Sequence, residues 1–241
     1  MSLLVVEGLT KVFGGLRAVS GLSFRVERGA VVSLIGPNGA GKTTTFALIS
    51  GFHRPTAGQV TFKGERITGL LADAICRRGL TRTFQIVQAF PKLTVLQNVM
   101  IGAYARQRSV GNARTQAEAI LRQLGMADRA DELARNLTLA DLKRLEIGKA
   151  LATEPELILL DEVVAGLTPK EVDQMVGLIR EIRARGITLL LIEHVMQAVM
   201  ALSDAIIVLH HGEKIFEGTP EAATKDPRVI EAYLGEELLC A

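Results

Sequence analysis

Gly36-Pro37-Asn38-Gly39-Ala40-Gly41-Lys42-Thr43 follows a short apolar run over residues 30–35, and a helical pattern opens behind it from Gly41 to about Ser50. The eight positions match the phosphate-loop spacing in full. Glycines let the backbone wrap an anion so that successive N–H groups point at a β-phosphate. The helix that starts there adds the positive end of its dipole. Lys42 is placed to reach the β- and γ-phosphates, and the Thr43 hydroxyl to bind Mg²⁺. A strand before the loop and a helix after it form the context that separates this motif from a chance glycine-rich turn. A nucleoside triphosphate is the expected ligand, with contacts running from Gly36 to Thr44.

Working outward, residues 157–160 (Leu-Ile-Leu-Leu) are a second buried run, and they end in Asp161-Glu162. Asp161 at the strand end is expected to hold Mg²⁺ through water. Glu162 is the candidate to orient and polarise an attacking water. An acidic pair after a strand is a weak signal alone, and it gains its meaning beside the phosphate loop. A third run, residues 187–192, precedes Glu193-His194. Parallel pairing would bring His194 to the same sheet edge as Asp161, where ligands collect. A γ-phosphate contact is then expected of it. Gln85 follows Thr81-Arg-Thr-Phe84, and in isolation it reads as a solvated loop residue. Phe13, in the first hairpin, reads either as core or as a ring that stacks on a base. His53, His210 and His211 read as surface or turn residues.

The composition sets bounds. Among 241 residues 48% are apolar, with no Trp, two Tyr and eight Phe. Such an aliphatic chain suits a largely parallel, buried sheet. The formal charge of +2 comes from dispersed Lys and Arg, so there is no broad basic field for nucleic acid. Cys76 and Cys240 lack metal-ligand spacing and read as two reduced thiols. The N-terminus does not read as a secretory signal, and no run approaches the roughly 20 apolar residues of a membrane-spanning helix. Work at a membrane would go through a partner.

The remaining pattern alternates strands and helices. Residues 3–8 and 22–26 alternate as antiparallel strands around a Phe13-Gly14-Gly15 turn. Residues 97–135 turn helical, and a helix over 142–151 stops near Pro155. Thr168-Pro169-Lys170-Glu171 combines an N-cap, a first-turn proline and a capping box. Residues 205–209 pair with 214–217 across His210-His211-Gly212, and Thr219-Pro220-Glu221 starts the closing helices. The expected fold is α/β: a P-loop NTPase core with a mainly parallel sheet, an N-terminal antiparallel β subdomain, and a helical subdomain inserted at about 86–152. All of it forms one domain over residues 1–241.

The order and spacing of these motifs resemble the ATPase subunits of ABC transporters, from about Leu4 to the end of the chain. The resemblance implies ATP and Mg²⁺ as cofactors and Phe13 as the adenine-stacking ring. It implies Gln85 as a Mg²⁺ and water ligand that senses the membrane partner, Glu162 as catalytic base and His194 as γ-phosphate switch. It also implies a second ATPase subunit, transmembrane permease subunits and, indirectly, a solute-binding protein. The chain would be cytoplasmic, held on the inner face of the membrane by the permease. The stretches 12–19, 81–85 and 226–235 are similar to the ATPases of branched-chain amino acid importers. The last stretch is the most specific, because ATP chemistry does not demand it. An ATPase of lipopolysaccharide export has a similar ending and is the alternative.

Three positions depart from the family. Where its Leu-Ser-Gly-Gly-Gln signature belongs, this chain has Leu137-Thr138-Leu139-Ala140-Asp141. In the family this segment opens a helix facing the γ-phosphate of the other subunit's ATP. Side chains at Leu139 and Ala140 restrict the backbone. Asp141 would be repelled by a polyanion unless a cation or proton accompanies it. Val163-Val164 replaces the usual Pro-Thr, and Thr168 stands where Asp or Asn is frequent. A regulatory ATP-binding subunit with weak hydrolysis is therefore a further alternative. A DNA-repair or translation factor would bring coiled-coil insertions, duplicated nucleotide domains or basic extensions. A guanine-specific enzyme would bring Asn-Lys-x-Asp. None of these occurs in the sequence.

Overall fold

The computed structural model describes residues 2–237, so Cys240 lies outside the described residues. Two long strands, β1 (Ser2–Phe13) and β2 (Leu16–Glu27), pair antiparallel, and β3 (Val31–Ile35) follows. Alternate residues of β2 near its end, Leu22, Phe24 and Val26, are buried, whereas β3 is buried at all five positions. That contrast is the one expected between a half-covered antiparallel strand and a central parallel one. Helix α1 (Lys42–Ile49) leads to β4 (Ala57–Phe62) and the short β5 (Glu65–Arg66). These two strands join β1, giving an antiparallel sheet of order β2-β1-β4-β5. Their membership is a difference from the sequence reading, which places only the first two segments there.

Next come α2 (Ala72–Arg77) and β6 (Leu80–Arg82), then α3 (Val95–Ala103), α4 (Val110–Gln123) and α5 (Leu139–Leu151). The 97–135 stretch is thus two helices, with short 3-10 turns at Ala127–Arg129 and Ala134–Asn136. Helix α5 starts three residues before the expected 142, because Thr138 is its N-cap and accepts from the Asp141 N–H at 3.3 Å. The cap satisfies one of the orphan donors of the first turn. The chain continues through β7 (Leu157–Asp161), α6 (Pro169–Ala184), β8 (Thr188–Ile192), α7 (Met196–Leu202), β9 (Ala205–His210) and β10 (Glu213–Gly218). It closes with α8 (Pro220–Ala223) and α9 (Pro227–Glu237). At the start of α6 the Glu171 carboxylate accepts from both the N–H and the hydroxyl of Thr168, and Pro169 occupies the first turn.

The second sheet has the order β10-β9-β3-β8-β7-β6. All its pairings are parallel except the β9–β10 hairpin at one edge. Helices α3–α6 cover one face through residues such as Val99, Leu121, Leu145 and Ile179, while Phe46 of α1 and Phe62 of β4 belong to the core on the other. Register matters more for function than the packing does. Asp161 pairs with Ile192, and Leu34 also pairs with Ile192, so β3, β7 and β8 end level with one another. Their C-terminal ends feed the Gly36 loop, Glu162 and His194 to one edge, as the crevice rule for open α/β sheets requires.

Candidate nucleotide site

The loop from Gly36 to Gly41 holds a shape that side chains would forbid. Gly36 has φ +145°, and a Cβ there would sit 2.1 Å from the Leu209 carbonyl oxygen. Gly41 has φ +100°, and its Cβ would meet the Ala18 carbonyl oxygen at 2.4 Å. Only glycine allows both the dihedral and the approach. Gly41 also precedes α1 without a side chain to cap it, the arrangement that lets a helix N-terminus accept an anion. Lys42 is buried, and its Nζ donates to the carbonyls of Gly36 at 2.6 Å and Pro37 at 2.8 Å. These bonds hold the ammonium in the centre of the loop.

A cleft of about 520 Å³ opens over this loop. It is lined by residues 38–44 together with Phe13, Gln85 and Glu162. Phe13 is 41% exposed, which decides between its two readings: the ring is a wall of the cleft and not part of the core. His53 meets Phe13 edge-on with ring centroids 5.4 Å apart, and the Lys11 ammonium lies 4.8 Å from the ring centre. The cleft also takes in Leu16, Arg17 and His211, which sequence reasoning left out. His211, in the β9–β10 turn with φ +47°, gives no sequence signal beyond its turn position.

Across the cleft, Glu162 accepts from Gln85 Nε2 at 2.8 Å, and His194 Nδ1 stands 3.9 Å from its other oxygen. Gln85 is therefore tied to an acidic partner and is not merely a solvated loop residue. Asp161 is 1% exposed and accepts from Arg82 Nη2 at 2.8 Å. Burial pushes its carboxyl above the ordinary range, and the Arg82 hydrogen bond opposes that shift. Its second oxygen, Oδ1, is buried with no hydrogen-bond partner among the described residues. An orphaned buried oxygen at this strand end fits a divalent cation or its water shell. Among the described residues no three His, Cys, Asp or Glu side chains gather to hold a metal. Mg²⁺ would then depend on phosphate oxygens beside one carboxylate and a hydroxyl, its usual manner of binding.

Behind Glu162, Glu193 is buried and accepts the Val164 N–H at 3.0 Å. Burial raises its carboxyl to about 7, against the pull of that N–H and of Lys143. The folded chain therefore keeps a proton that the unfolded chain releases near 4.5. Between these values the native state binds more protons, so stability falls as pH rises through the window. Glu193→Gln is expected to flatten that fall, by up to about 1.4 kcal/mol per pH unit. Denaturant titrations at both ends of the window would measure it.

The segment over residues 137–141 stands apart from these groups. Leu139 is half exposed and Ala140 buried. Thr138 donates its hydroxyl proton to Asp141 Oδ2 at 2.6 Å, and Arg129 Nη1 donates to the same oxygen. Burial works to raise the Asp141 carboxyl, but the bonds from Thr138 and Arg129 outweigh it and hold the group below its ordinary range. The cation that Asp141 needs beside a polyanion is thus supplied from within the chain. Arg129 itself is shared with Glu132.

Residues 19–165 match the model of the ABC transporter family. The chain belongs to that family. Residues 213–238 match a second model, described as the branched-chain amino acid ATP-binding cassette transporter. The chain is 41% identical to the high-affinity branched-chain amino acid transport ATP-binding protein BraF of Pseudomonas aeruginosa, covering 97% of this chain and 98% of that protein. It is equally similar, with the same coverage, to the transport ATP-binding protein LivG of Salmonella typhimurium. Among solved structures, a nucleotide-free ATP-binding cassette from an ABC transporter superposes with a TM-score of 0.90 at 33% identity, covering 97% of this chain and 99% of the other. An ATP-binding cassette in its ADP conformation gives 0.89 at 34% identity, covering 98% and 99%. Among the described residues no helix of this ABC cassette is long and apolar enough to cross a membrane.

Proposed function

We propose that this chain binds and hydrolyses ATP to power a membrane importer of branched-chain or related amino acids. The observation that carries the reading is that Gln85 and Glu162 line one cleft with residues 38–44 of the glycine-rich loop, and His194 Nδ1 stands 3.9 Å from Glu162. The match of the C-terminal segment and the full-length similarity to BraF and LivG support the choice of cargo class. Phe13 stacks on the base, and the loop with Lys42 cradles the phosphates. Thr43, Asp161 and Gln85 would hold Mg²⁺, which draws charge from the phosphates when bound. Glu162 takes the proton of the attacking water, and His194 contacts the γ-phosphate. The cassette works with a second ATPase subunit and with permease subunits that hold it on the cytoplasmic face of the membrane. A solute-binding protein delivers cargo that this chain never touches.

A second reading, a subunit that binds ATP but turns it over weakly, is favoured by one observation. Residues 138–141 would face the partner's nucleotide, and there the Thr138 hydroxyl proton is committed to Asp141. The isolated chain is therefore expected to bind Mg-ATP and to hydrolyse it slowly. Asp141→Gln removes the carboxylate that holds the Thr138 hydroxyl and one of the two that neutralise Arg129, so the field there turns more positive and the rate should rise by about tenfold, or about 1.4 kcal/mol of barrier. A paralogous subunit with an unaltered signature should have the same effect on the ATP held by this chain. Steady-state phosphate release measures both. A fast rate in the unmodified chain that Asp141→Gln leaves unchanged would refute the proposed weakness.

A further inference from the structure

Glu162 occupies a conformation that a side-chain-bearing residue rarely adopts, with φ +51°. Left-handed backbone at a residue other than glycine is strained and persists only where its surroundings over-determine it. Three contacts fix the turn from outside. The Glu162 N–H donates to the Ile192 carbonyl at 2.9 Å. The Val164 N–H donates to Glu193 Oε1 at 3.0 Å. The Glu162 carbonyl accepts from Lys143 Nζ at 2.5 Å, and a long 3.4 Å bond from the Ala165 N–H accompanies it.

Lys143 differs from the other two holders in where it comes from. Ile192 and Glu193 belong to β8 and its end, part of the same rigid sheet as Glu162. Lys143 lies on α5, about one and a half turns after its N-cap Thr138. Its side chain is buried, and the loss of hydration lowers its pKa against the pull of Glu193, Glu162 and Asp161. A buried ammonium is retained only where carboxylates and an acceptor compensate it. Here the acceptor is the backbone of the residue that carries the water-polarising carboxylate.

We propose that Lys143 is a positioning residue for Glu162, carrying the placement of the helix that opens at Thr138 onto the backbone of the strained turn. Resting on the reading of Glu162 as the base, this gives the chain an internal link between its partner-facing helix and its own hydrolytic centre. A shift of α5 pulls on the Glu162 carbonyl and so re-aims the carboxylate between Gln85 and His194. The link needs an ammonium or guanidinium at position 143, because an apolar side chain of equal length fills the space without holding the carbonyl.

The test uses the full chain with Lys143→Met, Lys143→Arg, Glu162→Gln and the Lys143→Met/Glu162→Gln double variant. Lys143→Met should lower kcat by about tenfold or more while the KM and the directly measured Kd for ATP stay within about twofold. Lys143→Arg should recover most of the rate. In the Glu162→Gln background Lys143→Met should cost nothing further, because the group it positions is already disabled. Amide hydrogen exchange at residues 162–165 should accelerate in Lys143→Met, and this readout does not depend on turnover. Unchanged exchange there, an unchanged kcat, or losses that multiply in the double variant would each overturn the role. An unmodified chain that binds no ATP sinks the proposed function instead, and leaves the exchange result to decide whether Lys143 holds the turn.

Discussion

Glu162→Gln is expected to cut ATP turnover by about 10²–10⁴-fold, the usual worth of a positioned general base. Nucleotide affinity should stay within about twofold, since the substitution keeps the shape of the side chain and leaves the Gly36–Thr44 loop and Lys42 unaltered. Both carboxylate oxygens are already oriented, one by Gln85 Nε2 at 2.8 Å and the other toward His194 Nδ1 at 3.9 Å. Glutamine retains one acceptor for Gln85 but cannot take a proton from water. Single-turnover hydrolysis beside a binding titration separates the two effects. If affinity collapses with the rate, Glu162 acts in binding, and the assignment of the base is wrong.

The residues behind this prediction were legible because their chemistry demands neighbours in sequence. A phosphate loop must run Gly36 to Thr43 without interruption, and Asp161-Glu162 must follow their strand directly. His194 needed only the inference that parallel strands end level, and Asp161 does pair with Ile192. What stayed hidden is contact between distant positions. Arg82 and Asp161 are 79 residues apart, and Lys143 and Glu162 are 19 apart. Neither pair has a spacing that marks it. Arg129, 12 residues before Asp141, answers a question the sequence could pose but not settle, namely where the cation for that carboxylate comes from. The start of α5 differs from the expected 142 for a local reason: Thr138 caps a first turn, Leu139 to Asp141, that precedes the apolar periodicity. Strands β4 and β5 were invisible for a topological reason: they return to a sheet that begins at Ser2, 55 residues before Ala57, and apolar alternation does not say which sheet a strand joins.

Arg82 carries the largest expected effect on stability. Its side chain is 8% exposed and that of Asp161 1%, so neither charge has water to fall back on. Arg82→Met keeps most of the volume between the Phe46 and Phe84 rings, whose centres lie 5.8 and 5.5 Å from the guanidinium carbon. It leaves Asp161 buried without its partner, and breaking a buried pair from one side costs about 3–5 kcal/mol. For a chain of this size that corresponds to a melting temperature lowered by about 6–20 °C. The companion variant Arg82→Met/Asp161→Leu removes the stranded carboxylate as well. If desolvation of Asp161 is the origin of the loss, the double variant is more stable than the single one, because an apolar pair of similar volume has no charge to bury. Equal losses in both would instead assign the cost to the guanidinium's contact with the two rings. The same reasoning explains why Asp161 keeps one oxygen on Arg82 while Oδ1 has no partner among the described residues. One bond compensates part of the buried charge, and the other oxygen is the one that the proposed Mg²⁺ or its water shell would satisfy.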